Sequence, residues 1–146
     1  MPVTFFNNSF EKASQVCTKA GLYEGTCVHS LGLLTTNPVW QNSISGKSDG
    51  KDEVELALGL CDQVPADLRK NCLIGGIDNI LNNDEMNLEL RALKYCQRVE
   101  RWDKGECYSQ IGVNINRQVI DKNRKQELCN KVDKDYVKSC LATTGI

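Results

Sequence analysis

Apolar residues recur along this chain at helical spacing, in short blocks broken by polar turns. In "DEMNLELRALKYCQRV" the positions Leu88, Ala92, Tyr95, Cys96 and Val99 fall on one face of a helix, with Met86, Leu90 and Leu93 beside them. "DEVELALGLC" opens with Asp52 and has Glu55 three residues later, a capping arrangement at a helix start. The period returns at Leu73, Ile77, Ile80 and Leu81, and again at Cys107, Ile111, Ile115 and Val119. These blocks predict an all-α protein.

Between the blocks stand pairs of cysteines: "CTKAGLYEGTC" (17–27), "CDQVPADLRKNC" (61–72), "CQRVERWDKGEC" (96–107) and "CNKVDKDYVKSC" (129–140). The four frames use all eight cysteines. Their flanks match as well. An apolar residue precedes each first cysteine: Val16, Leu60, Tyr95 and Leu128. Ala20, Val64, Val99 and Val132 lie three after it, and Tyr23, Leu68, Trp102 and Tyr136 lie four or five before the second cysteine. Gly32, Gly112 and Gly145 come five after the second cysteine, with Gly76 at four in the second frame. First cysteines are 44, 35 and 33 residues apart, so the chain repeats itself.

Within a frame the helix must break. Eleven steps of continuous helix would separate the cysteines by roughly 16 Å, whereas a disulfide needs Cα atoms within about 7 Å. Gly21 sits where one helix would end and Pro65 where the next would begin. Each frame therefore reads as the neck of an antiparallel helical hairpin, its first cysteine ending one helix and its second lying in the first turns of the next. The expected bonds are Cys17–Cys27, Cys61–Cys72, Cys96–Cys107 and Cys129–Cys140. A staple closing about 12 residues is worth roughly 2–3 kcal/mol in the chain-entropy treatment. A hairpin of this size cannot bury its apolar stripe alone, and stacking supplies the shared core. The expected organisation is one α-solenoid-like domain over 1–146: repeat 1 at 9–34, a loop insertion at 35–52, repeat 2 at 53–83, repeat 3 at 84–120 and repeat 4 at 121–146. Repeat 4 ends at "CLATTGI", which fits an early end or continuation into further repeats. The glycine after each second cysteine either admits another backbone or marks a bend.

This architecture resembles disulfide-stapled αα-hairpin solenoids and is similar in style to tetratricopeptide and Sel1-like repeat proteins; the Sel1-like motif is not legible, and of the tetratricopeptide pattern only the fragment "LG" at 58–59 is present. The resemblance implies a concave face that binds peptides or proteins, and it carries over no binding residue. The spacing of Cys17 and Cys27 also matches the small twin-cysteine proteins of the mitochondrial intermembrane space, but Pro65 interrupts the unbroken helix that family would need.

Eight cysteines in 146 residues place the chain in an oxidising compartment, either secreted, at a cell surface or in a periplasm, with the intermembrane space as the alternative. No apolar run is long enough to span a membrane. "MPVTFFNNSF" is not a signal peptide, so a leader removed upstream is expected; it does contain a glycosylation sequon at 7–9. Net charge is −1, yet residues 1–90 carry 6 Lys and Arg against 12 Asp and Glu, and residues 91–146 carry 12 against 7. This polarity argues against a nucleic-acid surface and permits head-to-tail contact between copies.

Catalytic chemistry finds no constellation. His29 is the only histidine and lies two residues from a staple. Ten-residue cysteine spacing suits neither zinc nor a redox pair. The acidic pairs Asp52–Glu53 and Asp84–Glu85 sit at predicted helix starts, where carboxylates favour the dipole. "SDGKDE" (48–53) lacks EF-hand spacing, and the basic "DKNRKQE" (121–127) has no interleaved aromatic residue. Trp102 is expected in the core. Trp40, in the insertion, either pins that segment to the stack or anchors a partner. The expectation is a module without enzymatic activity, cofactor or metal that binds a protein or peptide; the alternative is a structural subunit that self-associates end to end.

Overall fold

The computed structural model describes residues 9–38, 40–41, 52–83 and 91–146. Outside these lie most of the sequon, residues 48–51 of "SDGKDE", the pair Asp84–Glu85, and the start of the third repeat with Met86, Leu88 and Leu90. The side chain of Trp102 is likewise outside them.

Among the described residues there are eight α-helices and no strand. These are α1 (Phe10–Cys17), α2 (Glu24–Thr35), α3 (Glu53–Cys61), α4 (Arg69–Asn83), α5 (Leu93–Arg98), α6 (Arg101–Gln118), α7 (Lys122–Cys129) and α8 (Val137–Leu141). Three starts are capped by a side chain. Ser9 accepts from the backbone N–H of Lys12, Asp52 from Glu55 and Asp121 from Arg124. The chain forms two compact units, Met1–Asn79 and Ile80–Ile146.

All four expected staples are present, with Cα separations of 5.4, 5.6, 5.6 and 5.7 Å in chain order. Cys17, Cys61 and Cys129 are each the last residue of a helix. Three necks then follow one hydrogen-bond scheme. The first cysteine's carbonyl accepts from the residue three later: Ala20, Val64 or Val132. Three or four residues further on, Tyr23, Leu68 and Tyr136 donate their backbone N–H to the carbonyls of Ala20, Pro65 and Asp133. The repeated positions thus mark a repeated turn, and Val64 and Val132 are buried beneath it. Gly21, with φ 59°, makes the left-handed step that ends the first helix. The third neck is tighter. There α5 carries Cys96 past the staple to Arg98, and α6 restarts at Arg101, so Cys107 lies almost two turns inside it.

Pro65 does not begin a helix. It opens a turn that Leu68 closes at 2.9 Å, and α4 starts at Arg69. The insertion also begins later than the sequence suggests. Thr35 ends α2 and is buried, and Thr36 donates its hydroxyl to the Gly76 carbonyl at 2.9 Å while accepting from Asn79 at 3.1 Å. Buried Gln41 donates to the carbonyls of Thr35 and Glu53.

In the first unit, α2 and α4 meet backbone to backbone. A Cβ at Gly32 would overlap the Cys72 carbonyl, and one at Gly75 would overlap the His29 carbonyl. In the second unit a Cβ at Gly112 would overlap the Cys140 carbonyl and the Thr143 hydroxyl. The recurrent glycine therefore admits a neighbouring helix at Gly32 and Gly112. In the second hairpin Gly75, three residues after Cys72, makes the reciprocal contact on the first. Around these contacts Val28, Leu31 and Leu73 are buried in one unit, and Tyr108, Ile111 and Ile115 in the other.

Candidate binding groove

In the second unit the neck of the fourth hairpin lies beside the start of α6. Tyr108, fully buried, donates its hydroxyl to Asp133 at 2.8 Å. Gln97 donates to the other oxygen of that carboxylate at 3.3 Å. The Tyr136 ring stacks on Tyr108 with centroids 4.9 Å apart and planes 22° from parallel. Burial holds the Tyr108 phenol above its ordinary range, and the hydrogen bond and charge of Asp133, then Tyr136, add to this. Two hydrogen bonds and a stacked ring thus hold Asp133 and Tyr136 in place.

Over this platform runs an open groove of about 800 Å³, lined by Arg101, Lys104, Asp133, Lys134, Asp135 and Tyr136. Arg101 and Lys134 are exposed. Among the described residues, Arg101, Lys104 and Lys134 have no ion-pair partner. The groove offers three cationic donors, one engaged and one exposed carboxylate, and an aromatic face. This is equipment for recognising an extended polar segment. It contains no histidine and no cysteine.

Beneath the groove-bearing hairpin, Lys125 is buried and donates to Asn116 Oδ1 at 2.7 Å and to the Thr144 carbonyl at 2.8 Å. It ties α7 to α6 and to the turn after α8. Next to it, Arg124 pairs with Glu127 at 2.8 Å on the surface. The basic stretch 121–127 thus serves as a helix start with one buried tie.

The other singled-out residues lie elsewhere. All eight cysteines are in disulfides. Trp40 is half-buried, its ring 5.8 Å from that of buried Phe10. His29 Nε2 meets Asp78 Oδ2 at 2.9 Å and so links α2 to α4. Ser30 beside it spends its hydroxyl on the Thr26 carbonyl. Asp52 and Glu53 stand at the start of α3. Sequence reasoning missed Tyr108, Asp133 and Lys125. A signal for Tyr108 was present, since the residue after each second cysteine is always apolar: Val28, Leu73, Tyr108 and Leu141.

Comparison with known protein families, characterised proteins and solved structures gives no match. What the fold defines is a class: an all-helical array of disulfide-stapled hairpins, suited to an oxidising environment outside the cytosol. Among the described residues no helix is long and apolar enough to cross a membrane.

Proposed function

We propose that this chain is a non-catalytic binding module, secreted, displayed at a cell surface or held in a periplasm, whose groove on the fourth hairpin takes a segment of a protein or peptide partner. The observation that carries the reading is the pairing of a fixed platform, Tyr136 on Tyr108 and Asp133, with the unpaired cations Arg101, Lys104 and Lys134. Arginine and tyrosine side by side are the residues that dominate recognition surfaces. A stapled neck also loses little entropy when it binds, because it is already ordered. The likeness to tetratricopeptide and Sel1-like solenoids, which bind peptides, supports the same conclusion.

The test is selection of a displayed peptide library on the oxidised chain. Enriched peptides should bind the parent and lose about tenfold or more in affinity with Arg101→Glu/Lys134→Glu. Both substituted residues are exposed, so the variant keeps its fold. Peptides that bind both proteins equally, or no enrichment at all, would overturn the reading.

A further inference from the structure

The charges that line the groove are sorted by wall. The α6 wall contributes Arg101 and Lys104, three residues apart and so on one side of the helix. Both are cations. The neck wall contributes Asp133 and then Lys134, Asp135 and Tyr136, which form a single 3₁₀ turn. Both carboxylates of the groove therefore stand on the neck wall, while cations stand on both walls.

The two carboxylates differ in what they can still accept. Asp133 has spent both oxygens, one on the Tyr108 hydroxyl at 2.8 Å and the other on Gln97 at 3.3 Å. Asp135 is exposed to solvent. Neither takes up the cations: among the described residues Arg101, Lys104 and Lys134 form no ion pair. The groove also lies wholly within residues 91–146, which carry 12 Lys and Arg against 7 Asp and Glu, so the wider field around it is positive.

This arrangement selects the sign of what enters. A carboxylate between the walls would meet Arg101 and Lys104 on one side and Lys134 on the other. A guanidinium presents a planar fork that matches a carboxylate with two parallel hydrogen bonds, and each ammonium adds a compact charge. The Tyr136 ring, held against Tyr108, offers apolar surface to the stem of the same side chain. A basic segment would instead face two cations on the α6 wall and find Asp133 already engaged.

We infer that the segment bound in this groove is acidic, with an aspartate or glutamate of the partner seated between Arg101 and Lys104 on one wall and Lys134 on the other. The inference rests on the peptide-binding reading and adds the chemistry of the ligand. It gives Asp135 a definite role. Its exposed carboxylate opposes an acidic segment, whereas it would attract a basic one.

The test uses the peptides that the oxidised chain selects from a displayed library of random sequence. Asp and Glu should be enriched over the input library. Binding of a selected peptide, followed by fluorescence anisotropy, should fall with added salt. It should also fall about tenfold or more when the acidic residues of the peptide are replaced by Asn and Gln. Arg101→Gln/Lys134→Gln should cost the acidic peptide much more than its neutral counterpart, the coupling expected of groups in direct contact. Asp135→Asn should tighten the acidic peptide about two- to fivefold, the range of an exposed charge pair. Peptides that depend on Arg101 and Lys134 without a surplus of acidic residues overturn the inference and leave the peptide-binding reading standing. So do peptides that bind Asp135→Asn less well than the parent. If no groove-dependent peptide is selected, both fall. Retention on heparin that requires Arg101 and Lys134, without any such peptide, would assign the cations to a sulfated polysaccharide and overturn both.

Discussion

Replacing Gly32 by alanine should destabilise the first unit, although alanine is the better helix former. At an open helical site the exchange gains about 1 kcal/mol. At Gly32 the new methyl would overlap the Cys72 carbonyl, which is backbone and is held by the 61–72 staple. Overpacking that forces backbone to move costs about 1–3 kcal/mol, and a backbone-on-backbone clash belongs at the upper end. The net expectation is a loss of about 1–2 kcal/mol, or about 5–15 °C in Tm for a unit of this size. Gly59 provides the internal control. It lies in α3 of the same unit with nothing near its missing Cβ, so Gly59→Ala should gain about 0.5–1 kcal/mol. The second unit offers the same contrast, with Gly112→Ala destabilising and Gly105→Ala stabilising, because only Gly112 faces a carbonyl. The assay is urea unfolding of the oxidised protein by far-ultraviolet circular dichroism, with thiols titrated to confirm intact disulfides. If Gly32→Ala and Gly59→Ala shift the midpoint in the same direction, the close approach of α2 and α4 is refuted.

Lys125→Met keeps the aliphatic stem but leaves the Thr144 carbonyl and Asn116 Oδ1 without this donor, and should cost about 1–3 kcal/mol in the same urea assay. Tyr108→Phe should cost about 1 kcal/mol and loosen the Tyr136 platform, read as a change in near-ultraviolet dichroism. The raised Tyr108 phenol sets a direction with pH. Above the ordinary tyrosine range, near pH 10, the unfolded phenol loses its proton while the native one keeps it, so the folded state binds more protons and stability falls as pH rises. Tyr108→Phe should flatten that alkaline slope, and an unchanged slope would contradict the assignment. Replacing Cys129 and Cys140 by serine should cost about 2–3 kcal/mol, and the second unit should unfold first.

The hairpins were legible because cysteine spacing and apolar period agree. A continuous helix cannot bring Cys61 to Cys72, so the break followed from geometry, and the shared flanks gave the same turn in three frames. Which residues meet across hairpins was less legible. The glycine at Cys27 plus five was visible, but whether it bent a helix or seated one depended on a carbonyl 40 residues away at Cys72. Lys125 stood in a basic stretch that reads as solvated, and its burial depends on acceptors at 116 and 144. Thr35 and Thr36 carried a loop-like composition, yet they pack: Thr35 donates its hydroxyl to the Gly32 carbonyl, and Thr36 bonds Gly76 and Asn79. Tyr23 and Tyr136 occupy one position in the repeat and meet opposite fates, since only Tyr136 has a neighbouring hairpin to stack on. The groove was invisible for the same reason. Its walls come from α6 and the fourth neck, about 30 residues apart in the chain.

The whole account rests on one staple per frame, and a disulfide map tests that most directly. Trypsin cuts inside every frame, after Lys19, Arg69, Arg98 and Lys131 among others, and places each cysteine on its own peptide. Free thiols would be blocked first, and the unreduced digest read by mass spectrometry. The account predicts four linked pairs, 17 with 27, 61 with 72, 96 with 107 and 129 with 140, and no blocked thiol. A peptide linked across frames, or a blocked thiol in protein prepared under oxidising conditions, would contradict it.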